Sequence, residues 1–197
     1  MFLEPFITLQ SLMCTGRGVV MLLENDVLLA QRGDQEAFIR LINSCESSLY
    51  RVAKGFLKED TDCADAIQEA ILKSYKSISK LKNPAYFKTW LIRILINECN
   101  NLLRIKQKSF PMEIIESTAD SPVERTDFEE LREALIQLNE KYRTVVGLYY
   151  FEDCSIKDIA ETLSIREGTV KSRLSRARSM LASLLNQMKE ERGSEHG

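Results

Sequence analysis

The sequence predicts an all-α protein of two small helical domains, the second built on a helix-turn-helix, joined by a flexible acidic linker. Three observations carry this. Apolar residues recur at helical spacing through residues 25–108 and again through 128–188, with no convincing strand alternation. Between them the stretch SFPMEIIESTADSPVERTD, residues 109–127, has two prolines, an acidic excess and few large apolar groups apart from Ile114 and Ile115. Finally, Ser155 to Leu185 reads as a helix, a tight turn near Leu163 to Arg166, and a second helix.

In chain order, residues 1–24 read as a disordered N-terminal extension. The first twenty are moderately apolar, but Glu4 comes early, no basic segment precedes the apolar part and Arg17 interrupts it, which argues against a secretory signal. Met21 followed by LLENDVLLAQRGDQEAF looks the more natural start, a point that the intact mass of the natively expressed protein decides. Asp34 caps a helix carrying Ala37, Phe38, Leu41 and Ile42. A second amphipathic pattern follows through Leu49, Val52, Ala53 and Phe56, weakened by Gly55, and Lys58-Glu59-Asp60 begins its exit.

The next helix, ADAIQEAILKSYKSISKL, is expected to bury Ile67, Ile71, Tyr75 and Ile78. On another face Asp65, Gln68, Glu69 and Leu72 recur at i, i+3, i+4, i+7. A hydrophobic residue among acceptors and an amide fits a surface that meets another protein, one presenting arginines. An inward-turned Leu72 beneath solvated polar groups fits equally well.

A break is expected at Lys82-Asn83-Pro84, because proline pushes the residue before it out of the helical region. The following helix, AYFKTWLIRILINECNNLLRIKQK, takes its apolar side from Phe87, Leu91, Ile94, Leu95 and Leu102. Arg93, Asn97, Asn100 and Arg104 form a polar stripe of residue types that read bases and phosphates, with Lys80, Lys82, Lys88, Lys106 and Lys108 around it. Tyr86, Phe87 and Trp90 have the rings to stack on unpaired bases, although aromatics at this spacing more often pack. After the linker, Phe128, Leu131, Leu135 and Leu138 mark one helix. A turn at Asn139 leads to another through Tyr142, Val145, Val146, Tyr149 and Tyr150, and residues 189–197 form a frayed polar tail.

Within the helix-turn-helix, Ile156, Ile159, Ala160 and Leu163 line one face of the first helix, with Ser155 as N-cap and Asp158 in a weak capping box. The second helix sets Val170, Leu174, Ala177, Leu181 and Leu184 on one stripe. Opposite lie Gly168, Ser172, Ser175 and Ser179, flanked by Lys171 and Arg178 on one side and Thr169, Arg173 and Arg176 on the other. Small residues between two basic flanks suit a major groove, where the backbone approaches base edges and cations reach both phosphate ridges. A merely solvated basic helix is the competing reading.

Composition narrows the function. With a net charge of −2, any nucleic-acid surface must come from local segregation of charge. Cys14, Cys45, Cys63, Cys99 and Cys154 are odd in number and never spaced C-x-x-C, which argues for reduced thiols in the cytoplasm and against a disulfide framework or zinc knuckle. The single histidine, His196, lies in the tail, so histidine-based catalysis or metal binding has almost nothing to work with. No metal or cofactor is called for. No apolar run approaches the roughly 18 residues of a membrane helix, so no direct membrane insertion is expected.

These residues resemble a known family. KYRTVVGLYYFEDCSIKDIAETLSIREGTVKSRLSRAR is similar to the fourth conserved region of the bacterial sigma-70 superfamily, in its extracytoplasmic-function (ECF) class. ADAIQEAILKSYKSI followed by FKTWLIRILINECNNLLR resembles that class's second region, and the likeness covers about residues 26–185. It implies a non-enzymatic initiation factor that binds core RNA polymerase and directs it to promoter DNA. Residues 25–108 would be region 2, docking on the polymerase clamp through Asp65, Gln68, Glu69 and Leu72. The minus-ten element would be melted and held by Lys80, Lys82, Asn83, Tyr86, Trp90, Arg93, Asn97, Asn100 and Arg104. Residues 128–188 would be region 4, meeting the polymerase flap and reading the minus-thirty-five element with Glu167, Gly168, Thr169, Lys171, Ser172, Arg173, Ser175, Arg176 and Arg178. The linker would thread toward the active-site channel, and an anti-sigma factor would hold the protein.

Two departures from the family pattern stand out. Where a glycine and then a serine cap are usual in the turn, this chain has Ser164 and Arg166, so Ser164 is expected to cap the second helix with Glu167 three residues on. Asn139 replaces a common proline and still suits a turn. The alternative is a stand-alone helix-turn-helix regulator that binds duplex DNA as a dimer, which calls for a receiver or ligand domain with alternating strands. A nuclease with a DNA-binding tail would need clustered carboxylates, and capping explains Asp60, Asp62 and Asp65 as well.

Overall fold

The computed structural model describes residues 16–109 and 127–195. In chain order the helices are α1 (Gly16–Gln31), α2 (Gln35–Phe56), α3 (Asp60–Ser77), α4 (Phe87–Ser109), α5 (Asp127–Gln137), α6 (Glu140–Val146), α7 (Ile156–Leu163) and α8 (Glu167–Glu195). Short 3-10 turns at Ile78–Lys80 and Pro84–Tyr86 join α3 to α4, and α6 widens into a π turn at Gly147–Phe151. No strand occurs among the described residues.

Helix α1 begins at Gly16, inside the segment expected to be a disordered extension; residues 1–15 lie outside the described residues. Val27 and Ala30 anchor its C-terminal end in the core, and further turns add to an existing helix without a new nucleation cost. It stops at Gly33, whose φ of 98° is open to glycine, with Gly33 and Asp34 N–H groups donating to the Ala30 and Leu29 carbonyls. Asp34 then caps α2, accepting from the Ala37 N–H at 3.0 Å. The two amphipathic patterns read for 35–56 are one helix, because Ala37, Phe38, Leu41, Cys45, Leu49, Val52, Ala53 and Phe56 stay in phase on a single buried stripe.

Ile78 is buried as expected, in the 3-10 turn after α3, but within α3 the buried residues are Cys63, Ala66, Ala70 and Ser74 rather than Ile67, Ile71 and Tyr75. Small side chains let α3 lie close against α2 and α4, which leaves Ile67 and Ile71 at the margins. Tyr75 is exposed, its ring edge-on to Phe38 with centroids 5.0 Å apart. The Gln31 side chain donates to the carbonyls of Ile78 and Leu81 at 3.0 and 2.8 Å, tying the α3–α4 connection to α1. Asn83 caps the proline turn by accepting from the Ala85 N–H.

Helix α4 is buried on more sides than its expected apolar face requires. Phe87, Leu91 and Leu95 are buried as read, and so are Ile92, Ile96 and Cys99. One side packs on α2 and α3, and another meets α6, the π turn and α7. The two halves therefore share one continuous core.

In the second half, Leu135 and Leu138 are buried, while Phe128 is exposed beneath the Arg132 guanidinium, 4.9 Å from its ring centroid. Asn139 caps α6 through the Lys141 N–H. The π turn shifts the helical phase so that Leu148 goes inward and Tyr149 and Tyr150, expected on the apolar pattern, face out. Helix α8 continues through Lys189–Glu195, where a frayed tail was expected, as an extension of a helix already anchored by Leu181 and Leu184. His196 and the linker segment 110–126 lie outside the described residues.

Ser164 does not cap α8. It closes α7 in the left-handed conformation, φ 54° and ψ 45°, with its own N–H on Glu161 and the Ile165 N–H on the Ala160 carbonyl. The serine thus takes the position that a glycine would fill, and α8 starts at Glu167 with first-turn bonds to the Arg166 carbonyl. Replacing Ser164 by glycine should raise stability by about 1 kcal/mol, since a side chain in this region costs about 1–2 kcal/mol. Urea denaturation measures this, and a loss of stability would contradict the left-handed assignment.

Candidate nucleic-acid and polymerase interfaces

The second helix of the helix-turn-helix is held by its apolar stripe. Val170, Leu174 and Ala177 are buried against α6 and α7, which forces the opposite face outward. Glu167, Gly168, Lys171, Ser172, Ser175, Arg176 and Arg178 are exposed there, and Thr169 and Arg173 are half-buried at the edge. A Cβ added at Gly168 would meet no atom within 4 Å, so the backbone at the start of α8 is open to approach. Ser172 and Ser179 donate to carbonyls of their own helix and so lie close along it. The face is small at its centre and cationic on its flanks.

Arg176 reaches back to the support helix. Its guanidinium lies near the Tyr142 hydroxyl and holds that phenol below its ordinary value, and the charge of Lys141 adds to the effect. The Lys141 ammonium also sits 4.9 Å above the Tyr142 ring centroid. This proximity was not foreseen from the sequence.

The residues expected around the minus-ten element divide into two groups. Lys80, Lys82 and Asn83 are exposed on the α3–α4 connection, and Tyr86 is half-buried beside them. Trp90 packs on the core, tilted against Phe87 with centroids 6.1 Å apart. Arg104 is exposed and donates to Asn101. Arg93 instead faces the second half, donating to the Thr162 carbonyl at 2.6 Å. Asn97 is half-buried, and Asn100 is only 7% exposed with neither side-chain amide atom partnered.

Asp65, Gln68, Glu69 and Leu72 are all exposed on α3, Leu72 by 46%, and line one wall of an open groove of about 620 Å³. Leu102 and Ile105 of α4 form the other wall, with Ile105 57% exposed. Lys73 spans the groove between Glu69 at 3.4 Å and Glu98 at 2.6 Å. The α4 contribution escaped the sequence reading because Leu102 was assigned to the apolar core side and Ile105 was not singled out. Among the described residues no group of three or more histidine, cysteine or acidic side chains could hold a metal ion. Cys99 is buried, which pushes its thiol up to about 12, far from a reactive thiolate. No described helix is long and apolar enough to cross a membrane.

A helix-turn-helix with a cationic outer face, packed on a second helical domain with its own basic connection and acidic groove, defines a DNA-binding protein of two modules. Comparison with known proteins supplies the family. The model for "Sigma-70 region 2" matches residues 41–109, and that for "Sigma-70, region 4" matches residues 128–181. RNA polymerase sigma factor SigV of Bacillus subtilis is 32% identical over 145 residues, 73% of this chain and 87% of that one. ECF RNA polymerase sigma factor SigM of Mycobacterium tuberculosis is 33% identical over 155 residues, 78% of this chain and 79% of that one. Among solved structures, the sigma factor RpoE in complex with the anti-sigma factor NepR from Bartonella quintana is 26% identical with a TM-score of 0.56, covering 76% of this chain and 96% of that one. CnrH, solved with the cytosolic domain of CnrY, shares the fold with a TM-score of 0.64 at 23% identity, covering 84% of this chain and 98% of that one. The chain belongs to the sigma-70 family and is an ECF RNA polymerase sigma factor. A stand-alone helix-turn-helix regulator does not account for the region 2 match.

The Tyr142 contact is open to direct test. Replacing Arg176 by alanine should move the Tyr142 titration upward toward that of an ordinary tyrosine, as followed by NMR of ring-labelled tyrosines. An unmoved titration would show that the guanidinium does not hold the phenol.

Proposed function

We propose that this sigma factor divides promoter recognition between its two halves while docked on core RNA polymerase. The observation that carries the proposal is the exposed α8 face, Glu167 to Arg178, whose small centre and cationic flanks match a major groove. In this reading Thr169, Lys171, Ser172, Arg173, Ser175, Arg176 and Arg178 meet the duplex minus-thirty-five element, with Glu167 and Gly168 at its edge. Lys80, Lys82, Asn83, Tyr86, Trp90, Arg93, Asn97, Asn100 and Arg104 serve the minus-ten element. Melting costs a few kcal/mol per unstacked base, offset by polymerase contacts and by pockets that hold extruded bases.

The α3 wall of the groove, with Asp65, Gln68, Glu69 and Leu72, docks on the polymerase clamp, and region 4 meets the flap. Carboxylates around an exposed leucine favour a partner helix that offers arginines beside an apolar residue. The protein acts in the cytoplasm as an initiation factor, not an enzyme. An anti-sigma factor as partner is supported by the Bartonella relative, whose solved complex contains one.

Transcription with purified core polymerase on fragmented DNA from the source organism tests the whole reading. Discrete transcripts should appear only when the protein is added, and duplex binding without polymerase and without new starts would favour a plain regulator. Arg176→Ala should cost about 1–3 kcal/mol of promoter discrimination with folding intact. Asp65→Ala combined with Gln68→Ala should weaken polymerase capture in a pull-down, and equal capture would return this face to ordinary solvated surface.

A further inference from the structure

We propose that Glu98, in the groove between α3 and α4, is a positioning residue for polymerase docking: it draws the Lys73 ammonium away from Glu69 and leaves that carboxylate open to the partner. This deepens the docking role given above to the α3 wall and rests on it. Glu98 itself does not meet the polymerase and acts through Lys73. The three side chains stand in a row across the groove. Lys73 Nζ lies 3.4 Å from Glu69 Oε1, one helical turn back on α3, and 2.6 Å from Glu98 Oε2 on α4. Two carboxylates thus compete for one cation.

Burial decides the competition. The Glu98 side chain is 10% exposed and that of Glu69 is 50% exposed. A carboxylate withdrawn from water is costly without a counterion, whereas one in solvent is not. An exposed pair four residues apart on one helix contributes little, so Lys73 belongs first to Glu98 and only second to Glu69. The Lys73 ammonium is held above its ordinary value in the same order, foremost by its hydrogen bond to Glu98 and less by Glu69. The row continues along α4. Asn101 Nδ2 donates to the same Glu98 oxygen at 3.5 Å, and Asn101 Oδ1 accepts from Arg104 at 2.9 Å. Arg104, the other cation lining the groove, is thereby engaged on its own helix.

The consequence falls on the face that docks. Glu69 stands exposed beside Asp65, Gln68 and Leu72. An ionised carboxylate has about four lone-pair sites, and a guanidinium takes two of them in parallel. A lysine seated on Glu69 would have to be displaced before an arginine of the partner could bind there. The groove is lined by three carboxylates, Asp65, Glu69 and Glu98, against two cations, Lys73 and Arg104. Glu98 therefore supplies the excess of negative charge, and without it the charges of the groove balance. A partner helix bearing arginines meets an attractive wall only while Glu98 holds Lys73.

Fluorescence anisotropy of the labelled full chain with purified core RNA polymerase tests this, with thermal melts to verify that each variant is folded. Glu98→Gln keeps the shape and removes the charge. It should weaken binding by roughly threefold at low salt, and the loss should shrink as salt rises. Adding Lys73→Met to Glu98→Gln should restore the affinity, because no ammonium is left to cover Glu69. In a Glu69→Gln background, Glu98→Gln should have no further effect. Unchanged affinity in Glu98→Gln overturns the proposal. So does a loss that persists once Lys73 is methionine, which would make Glu98 an ordinary support of the α3–α4 packing. Asp65→Ala with Gln68→Ala reads the docking face without Glu98. If that pair leaves capture intact, the docking reading fails and the role of Glu98 fails with it; if it weakens capture and Glu98→Gln does not, only the role of Glu98 fails.

Discussion

The approach of the Gly147 turn to Phe56 and Ile96 is the contact on which the arrangement of the whole molecule depends. At that spacing α6 and the π turn lie directly on α2 and α4, and the second side of α4 is removed from water. Ile96 is enclosed between the two domains, which share one core. Because apolar burial scales with area removed from water, sharing a core stabilises both halves, and it commits the polar residues on the same helix side to the same interface. Arg93 finds a carbonyl there, and Asn100 finds nothing.

This explains how one chain carries surfaces of contrasting character. The α8 face and the α3 groove point to solvent, because the stripes behind them, Val170-Leu174-Ala177 and Cys63-Ala66-Ala70, are held by neighbours within their own domains. Both faces are therefore open to solvent. The α4 stripe has no such independence. Its exposure depends on where region 4 lies, and the buried Glu152 carboxylate between Arg51 and Lys88 makes that position a matter of charge as well as of packing.

Much of the fold and site was legible in the residues. Asp34 and Ser155 were recognisable as caps and Asn139 as a turn former because each bonds a backbone N–H two or three residues away, a distance the sequence itself sets. The helix-turn-helix could be read for the same reason. Its apolar stripes need only the period of the helix, and the basic flanks follow as the complement. Less legible were the buried face of α3, where small residues pack closer than the isoleucines beside them, and the outward turn of Tyr149 and Tyr150. A single π turn shifts the phase of everything after it, and no composition rule marks it. Ser164 was read as the start of one helix when it ends another, because a polar side chain at a helix boundary fits both.

By itself, the sequence determined most of the helices and their order, the caps at Asp34 and Ser155, the family and the outward faces of α3 and α8. Each of these follows from local periodicity and from hydrogen bonds between near neighbours. Only the tertiary structure decided that Thr89, Arg93 and Ile96 face Cys154, Thr162 and Gly147, that Arg51 and Lys88 share the carboxylate of Glu152, and that two glycines set the distance between the domains. These pairs lie tens of residues apart in the chain. What joins them is the fit of two helical surfaces, and that fit is a property of shape in three dimensions that no local spacing encodes.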